Sequence, residues 1–267
     1  MQAIILAAGM GKRLGALTRN NTKCMIQVNG VTLIERMMRQ LDRLSPSLEK
    51  IVIVTGYEGE KLKTFLSRLD ISTPVEYVDN PLYASTNNIY SLYLAKEHLL
   101  QDDTLLFESD LIFEDSVIDA LLRHPYPSLA LVAKFESWMD GTVVTLDEDD
   151  NIRQFIPGSK FSYKKKTEYF KTVNIYKFSR EFSRTHYVPF LTAYSKALGN
   201  NEYYEQVLRV IALLDKPEIK ALRLGGEAWY EIDDIQDLDI AASIFTPDRE
   251  EHLSLIHISE PTRRTPI

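Results

Sequence analysis

The sequence predicts an α/β fold built on a Rossmann-like, mixed and mostly parallel sheet flanked by helices. One observation is that apolar runs alternate with amphipathic segments of about 10–15 residues, which indicates βαβ units. Another is that residues 1–34 open with an apolar run into LAAGMGKRL and contain no acid, but carry Lys12, Arg13, Arg19 and Lys23. A cationic glycine loop directly after a strand suits a phosphate-rich ligand.

Composition narrows the classes of protein. The 267 residues carry a formal charge of -7 and are 45% apolar, which argues against a general binder of nucleic acid or membrane surfaces, since those need broad basic faces. Cys24 is the only cysteine, so no intramolecular disulfide can form. The apolar run 3–8 is too short for a signal peptide, and no run has the roughly 18 apolar residues of a membrane span. We expect a cytoplasmic protein.

The first half of the chain alternates strands with helices. Thr32 and Glu35 resemble a capping box at the start of one helix. The loops after parallel strands meet at the carboxyl edge of the sheet, where ligands bind in such folds. We therefore expect the loop after the first strand, Thr55–Gly56, Asn80 and Asp110 to converge. The predicted strands are 2–8, 51–56, 74–80 and 104–110, and the predicted helices are 33–44, 58–69 and 87–100.

The pattern changes after Pro125 to short strands separated by turns, which predicts a small β-rich cap over the sheet. The acidic run 147–150 is predicted to lie at a hairpin tip. Ser179 can cap a helical region that extends to about Leu214. The strands are predicted at 129–135, 141–147, 151–157, 167–179 and 219–224, followed by a loop at 228–234 and a final helix at 235–245.

These elements predict one domain over residues 1–246. Its halves are 1–125, which carries the glycine loop, and 126–246, the cap; the family resemblance described below implies that they bind the nucleotide and the acceptor, respectively. Residues 247–267 have no clear helical or strand period, and we interpret them as a disordered or non-native tail.

The glycine loop does not match the common phosphate-binding fingerprints. A third glycine of the dinucleotide fingerprint would fall at Leu14, and the Walker-type glycine-lysine-serine/threonine sequence does not occur. Several phosphates together carry about four negative charges, so a divalent metal is expected beside the cations. Asp110 and Asp233 are the candidate ligands. The plain alternative for Asp110 is a loop acid, and Asp234 is better explained as a helix cap.

Together these residues resemble the nucleotide-sugar pyrophosphorylase and cytidylyltransferase superfamily, which has a GT-A-like nucleotidyltransferase fold. The resemblance rests on LAAGMGKRL, Lys23, Asp110 and EIDD, and it covers about residues 1–246. STNNIYSLYLA (85–95) and YEIDDIQDLDIA (230–241) are similar to bacterial phosphocholine, phosphoethanolamine and aminoethylphosphonate cytidylyltransferases. Thr22 and Ala16 stand where the family often has proline, which affects the rigidity of the loop rather than its charge.

The resemblance implies a role for each motif. Lys23 would hold the acceptor phosphate and stabilise charge at the α-phosphorus, Arg13 would bind the β and γ phosphates, and Asp110 and Asp233 would bind Mg²⁺. The asparagine pair at 87–88 can instead cap a helix. The remaining nucleotide contacts implied by the resemblance are Leu6, Ala7, Ala8, Gly9, Met10, Gly11, Lys12, Asn80, Thr86, Asn87, Asn88 and Ser91.

The acceptor side has less specific signals. Trp138 and Trp229 are the only tryptophans, and both lie beside acids. Aromatic faces with nearby carboxylates attract ammonium groups by about 0.5–2 kcal/mol. Core packing is the alternative for both tryptophans, and a sugar phosphate would also stack on them. The candidate acceptor contacts are Trp138, Asp140, Trp229, Tyr230 and Glu231.

We therefore expect a Mg²⁺-dependent enzyme that transfers CMP from CTP to a small phosphorylated amine or phosphonate. A sugar-1-phosphate nucleotidyltransferase and a non-catalytic nucleotide-binding regulator are the alternatives, with a dinucleotide oxidoreductase a distant third. Nucleic acid and membrane partners are not expected, and a homodimer is compatible with the sequence.

Overall fold

The structure is a computed structural model that describes residues 1–246. The expectation of a tail over 247–267 lies outside the described residues. The strands are β1 (Gln2–Ala7), β2 (Gln27–Val28), β3 (Val31–Thr32), β4 (Lys50–Thr55), β5 (Val75–Asp79), β6 (Thr104–Glu108), β7 (Leu111–Phe113), β8 (Leu129–Lys134), β9 (Val143–Leu146), β10 (Ile152–Ile156), β11 (Phe170–Phe178), β12 (Lys220–Arg223) and β13 (Trp229–Glu231). The α-helices are α1 (Leu33–Asp42), α2 (Gly59–Leu66), α3 (Asn88–Leu94), α4 (Lys96–Leu99), α5 (Asp115–Arg123), α6 (Arg180–Phe182), α7 (Val188–Leu198), α8 (Glu205–Ile211) and α9 (Ile235–Ile244).

One mixed sheet of nine strands organises these elements. Its main path runs β10-β9-β11-β6-β1-β4-β5, with β8 pairing to β11 and β12 to β8. The strands β6, β1, β4 and β5 are parallel, whereas β11 is antiparallel to β6, β8 and β9. The α/β fold class is confirmed. The strands expected in a cap continue the central sheet, because β11 pairs directly with β6.

Helices cover both faces of this sheet. In β1, Ile4 and Leu6 pack into one apolar cluster with residues of α3, α7 and α8. Ala3 and Ile5 point to the opposite face, where residues of α1, α2 and α5 form a second cluster. A parallel strand covered on both faces reads as a continuous apolar run, which is why the start of the chain contains no polar alternation.

Local capping chemistry sets several helix ends as predicted. The Thr32 hydroxyl accepts a hydrogen bond from the Glu35 amide at 3.1 Å, and α1 begins at Leu33. The Ser179 hydroxyl accepts from the Phe182 amide at 3.1 Å at the start of α6. Asp234 caps α9 in a reciprocal capping box with Asp237.

Three predicted elements were wrong in detail. The helical region predicted from Ser179 to about Leu214 is divided among α6, α7 and α8, because Gly199, with φ +93°, ends α7. The helix predicted over 87–100 is two helices, α3 and α4, because Ala95 between them has φ -88° and ψ 4° and leaves the helical conformation. The predicted loop 228–234 contains the short strand β13, because Trp229–Glu231 pair antiparallel with Leu111–Phe113 of β7. Within residues 1–246, no helix is both long and apolar enough to cross a membrane.

Gly56 allows the loop after β4 to pack against the end of β1. A Cβ placed on Gly56 would lie 2.8 Å from the Ala8 carbonyl oxygen and 2.8 Å from the Tyr83 Cβ. Since real Cβ atoms essentially never approach that closely, a side chain here would push the two loops apart.

We predict that Gly56→Ala lowers the free energy of unfolding by about 1–3 kcal/mol through this overlap. Denaturant titration measures the change. Gly9→Ala is the matched control, because a Cβ at Gly9 meets no heavy atom within 4 Å. Equal losses in the two variants would contradict the steric explanation.

Candidate active site

The ammonium group of Lys23 lies between two carboxylates at the carboxyl edge of the sheet. Its Nζ donates to Asp110 Oδ2 and to Asp233 Oδ1, each at 2.6 Å. All three side chains are largely buried. The sequence predicted one cation and two metal ligands, and the structure joins them directly.

The short ladder between β7 and β13 brings the two acids together. Asp110 directly precedes β7 and Asp233 follows β13, and Leu111 pairs with Glu231 in this ladder. The Ile232 amide also donates to the Asp110 carbonyl oxygen at 3.0 Å. This register fixes the spacing of carboxylates that are far apart in the chain.

Gly11 controls how closely Lys23 approaches the glycine loop. Its φ is +59°, in the left-handed region that favours glycine, and a Cβ there would lie 3.0 Å from both Lys23 Cβ and Thr18 Cγ2. The Thr18 hydroxyl donates to the Gly11 carbonyl at 2.8 Å and holds the turn. The loop therefore needs glycine at this position to keep Lys23 in the cluster.

The rest of the glycine loop follows the end of β1. Leu6, Ala7 and Ala8 are buried, whereas Gly9, Lys12 and Arg13 are exposed and Met10 and Gly11 are half-buried. Arg13 donates to the same Asp233 Oδ1 at 2.7 Å and lies 4.0 Å from Asp140 Oδ2. The loop thus presents exposed backbone and two exposed cations next to the acidic pair.

Charge and burial act in opposite directions on this cluster. Burial lowers the pKa of Lys23, but the charges of Asp110 and Asp233 outweigh burial and raise it above its ordinary value. Burial raises the pKa of Asp233, and the charges of Lys23 and Arg13 outweigh that effect and lower it. Lys23 and Asp233 are therefore charged at neutral pH.

The acids form a group with the chemistry of a hard-cation site. Ligand oxygens of Asp110, Glu231 and Asp233 lie within 4.8 Å of one another. Asp110 Oδ1 is buried and has no hydrogen-bond partner within residues 1–246. Buried polar atoms are normally paired, so this oxygen is available to a further cation. Carboxylate oxygens are the ligands that Mg²⁺ prefers.

A second buried cation lies beside Glu231. Lys171 Nζ is 3.2 Å from Glu231 Oε2 and donates to the Thr172 carbonyl at 2.7 Å. The Asn174 amide donates to the other carboxylate oxygen, Oε1, at 3.2 Å. Burial raises the pKa of Glu231, while the charge of Lys171 acts to lower it.

Two more glutamates extend the acidic cluster into the core. Asn88 Nδ2 donates to Glu108 Oε1 at 2.8 Å, and Asn88 Oδ1 accepts from the Tyr204 amide at 2.9 Å. Burial, followed by the charge of Asp110, raises the pKa of Glu108 well above its ordinary value. Burial raises the pKa of Glu205 to about 7, and its Oε2 has no partner within residues 1–246.

Three of the residues expected to contact the base hold the local structure in place. Asn80 and Ser91 are buried, and Asn80 Nδ2 donates to the Ser91 hydroxyl at 3.1 Å and to Thr86 Oγ1 at 3.3 Å. These bonds hold the loop that follows β5. Asn87 caps α3 by accepting from the Asn88 amide at 2.8 Å, so the capping alternative is confirmed for Asn87.

The two tryptophans expected to contact the acceptor lie in different surroundings. Trp138 stacks on Tyr230 with ring centroids 5.0 Å apart and planes 6° apart, and Trp138 is 51% exposed. Its ring nitrogen donates to Glu136 at 2.9 Å. Trp229 instead packs against the apolar cluster on one face of the sheet, as its core-packing alternative predicts.

Glu108, Lys171, Asn174 and Glu205 were not predicted from the sequence. Lys171 and Asn174 lie in β11 within the run 171–176, whose residues are all buried. A lysine and an asparagine in such a strand were the available signal, because polar groups there need partners. Glu205 offered no such signal, since it opens a helix.

A cationic glycine loop and paired acids at the carboxyl edge of an α/β sheet define a protein that handles nucleotide phosphates. Residues 3–193 match the MobA-like NTP transferase domain. The chain belongs to this family of nucleotidyltransferases.

Relatives and a solved structure agree with this assignment. The chain is 28% identical over 255 residues to CMP-5'-(3-aminopropyl)phosphonate synthase of Streptomyces rubellomurinus, covering 94% of this chain and 40% of that protein. It is 34% identical over 161 residues to 2-aminoethylphosphonate cytidylyltransferase of Lancefieldella rimae, covering 60% of this chain and 63% of that protein. The structure of CTP:phosphocholine cytidylyltransferase from Streptococcus pneumoniae shares the fold, with a TM-score of 0.73, 24% identity, and coverage of 92% and 99%.

Glu205 makes the stability of the protein depend on pH. Its pKa rises from 4.5 to about 7 on folding, so the folded state keeps a proton that the unfolded state loses across that window. The proton held by Glu205 therefore adds to the free energy of unfolding in full below pH 4.5, and this stabilisation declines as pH rises toward 7.

We predict that Glu205→Gln becomes stabilising relative to wild type as pH rises through this window, by at most about 3 kcal/mol above it. Urea unfolding at several pH values measures the difference. Glu202→Gln is the matched control, because Glu202 is exposed. A difference that does not vary with pH would contradict the assignment.

Proposed function

We propose that this protein is a CTP-dependent cytidylyltransferase that transfers CMP to the phosphate or phosphonate of a small amine-bearing acceptor. The observation that carries the proposal is the contact of Lys23 with Asp110 and Asp233 beside the glycine loop. This contact supports the proposal because it joins a cation to two candidate metal ligands beside the loop that would bind the nucleotide phosphates. The relatives named for aminoalkylphosphonates support the choice of acceptor class.

The loop residues would bind the triphosphate. Backbone amides around Gly9 and Gly11 can donate to phosphate oxygens, and Lys12 and Arg13 are exposed beside them. Thr86 would contact the base from the loop that Asn80, Ser91 and Asn87 hold in shape. The Asn88 side chain bonds Glu108 and the Tyr204 amide, so it would offer the base only its second N–H and its second lone pair. Amide groups can satisfy both donor and acceptor edges of cytosine.

Asp110 and Asp233 would hold Mg²⁺. When bound, the ion would neutralise phosphate charge and polarise the α-phosphoryl group. The Lys23 ammonium uses the same two carboxylates, so a metal and Lys23 would compete for them. A lysine that leaves the acids becomes available to the α-phosphate and the acceptor phosphate.

The reaction is a single displacement. An oxygen of the acceptor phosphate or phosphonate attacks the α-phosphorus of CTP, the bond from that phosphorus to its bridging oxygen breaks, and pyrophosphate leaves with the electron pair. Lys23 and Arg13 would stabilise charge on the phosphoryl oxygens, and catalysis would rest on positioning and electrostatics without a covalent enzyme intermediate.

The acceptor would lie between the aromatic pair and the acids. Trp138 offers an exposed ring face and donates to Glu136, and Asp140 lies two residues further along the same loop. A cation over a tryptophan face gains about 0.5–2 kcal/mol, depending on desolvation. A small ammonium group on the acceptor fits this combination.

The direct test measures pyrophosphate release from CTP and Mg²⁺ with a panel of acceptors. We expect release with phosphoethanolamine, 2-aminoethylphosphonate or phosphocholine, and much less with glucose-1-phosphate, UTP or dTTP. Preference for glucose-1-phosphate would favour a sugar nucleotidyltransferase. No release with any pair of substrates would contradict an enzymatic function.

We predict that Lys23→Met lowers kcat by at least about 100-fold, because it removes charge stabilisation at the reacting phosphorus. Lys96→Met is the matched control, since Lys96 lies on α4, where its ammonium is 4.3 Å from the Tyr93 ring centroid. Steady-state kinetics with CTP measures both. Turnover close to wild type in Lys23→Met would contradict the proposed role.

A further inference from the structure

The strand β11 contains an irregularity next to the candidate active site. Its pairing with β8 shifts register between Thr172 and Tyr176, and Asn174 within this bulge has φ +59°. A buried asparagine in the left-handed region is uncommon and costs conformational energy. Such strain persists where the surrounding contacts require it.

The bulge directs two polar side chains at one carboxylate. Asn174 donates to Glu231 Oε1 at 3.2 Å, and Lys171 approaches Glu231 Oε2 at the same distance. Thr172 holds Asn174 in turn, since its hydroxyl lies 3.1 Å from Asn174 Oδ1. Both oxygens of Glu231 are therefore held from β11, on the side away from solvent.

Lys171 is a buried cation that the proposed reaction does not otherwise use. Only 3% of its side chain is exposed, and the carboxylates of Glu231 and Glu205 are its charged neighbours. A Cβ placed on Gly141 would lie 3.5 Å from Lys171 Nζ. The segment that carries Trp138 and Asp140 therefore comes close to Lys171 at Gly141.

Glu231 differs from the two acids that share Lys23. Asp110 and Asp233 both contact the Lys23 ammonium, whereas Glu231 is held by Lys171 and Asn174. It follows Tyr230, which stacks on Trp138. In β13 adjacent side chains point to opposite faces, so Glu231 does not share the Tyr230 face. Glu231 approaches the segment 138–141 through Lys171, because a Cβ on Gly141 would lie 3.5 Å from the Nζ that contacts the Glu231 carboxylate.

We propose that Lys171 and Asn174 are positioning residues that hold Glu231 toward the ammonium group of the acceptor. This inference rests on the proposed function. Each carboxylate oxygen can accept more than one hydrogen bond, so Glu231 can bind an ammonium while both contacts from β11 remain. Lys171 and Asn174 act on the acceptor through Glu231 and do not touch it themselves.

The test measures KM for phosphoethanolamine and for CTP in Lys171→Met and Asn174→Gly. Glycine tolerates the left-handed backbone, so Asn174→Gly removes the side chain without straining the main chain. We expect KM for phosphoethanolamine to rise at least about tenfold in both variants, as for a lost charge-assisted contact, with KM for CTP unchanged within about twofold. Lys177→Met is the control, because Lys177 is on the same strand but donates to Leu121 and His124 carbonyls.

Ethyl phosphate lacks the amine, so it shows whether a loss of activity depends on the ammonium group of the acceptor. Turnover of ethyl phosphate should change little in Lys171→Met, since no ammonium is present. Equal losses with both acceptors, or an unchanged KM for phosphoethanolamine, would overturn the inference. A loss of Mn²⁺ affinity without a change in acceptor KM would also overturn it, because Glu231 would then serve the metal.

The double variant Lys171→Met/Glu231→Gln distinguishes a loss of acceptor affinity from a loss of stability. Removing one partner of a buried ion pair is strongly destabilising, and removing both charges relieves that cost. We expect the double variant to unfold nearer to wild type while its KM for phosphoethanolamine stays high. Recovery of acceptor affinity together with stability would indicate a purely structural role and overturn the inference. If wild type turns over no acceptor, the proposed function has failed instead.

Discussion

The contact of one ammonium group with two carboxylates is the constraint on which this site depends. The ladder between β7 and β13 places Asp110 and Asp233 side by side, largely out of water. Two like charges about 4 Å apart repel by about 4 kcal/mol at a surface-like dielectric, so this arrangement requires a cation. Lys23 supplies that cation in the structure, and the left-handed turn at Gly11 lets it come close enough.

The same principle applies one layer deeper in the molecule. Lys171 compensates Glu231, while burial favours the neutral forms of Glu108 and Glu205. An apolar sheet can therefore hold five carboxyl groups near one edge, because some are paired with cations and burial raises the pKa of the others. This balance leaves a strongly acidic region beside exposed cations, which suits a ligand that carries both phosphate and ammonium groups.

The sequence predicted what depends on local pattern and strand ends. Thr32, Ser179 and Asp234 cap helices as their positions indicated, and the strand ends bring Lys23 and Asp110 to one edge.

The sequence could not predict the direct contact of Lys23 with Asp233, because the register of β7 with β13 decides it. The bulge at Asn174 was also hidden, since an irregular register leaves no periodic mark in a strand that is buried on both faces. Local pattern likewise could not separate Asn80, which holds a loop, from residues that would contact a base.

The proposed site depends on Lys23 and a divalent cation using the same two carboxylates. The test is Mn²⁺ binding in the absence of nucleotide, compared among wild type, Lys23→Met and Lys96→Met. Electron paramagnetic resonance measures the Mn²⁺ that remains free. Removing the competing ammonium should tighten Mn²⁺ binding by at least about tenfold in Lys23→Met only, since one close charge contact of this kind is worth more than 1.4 kcal/mol. Unchanged or weaker binding in Lys23→Met would contradict the account.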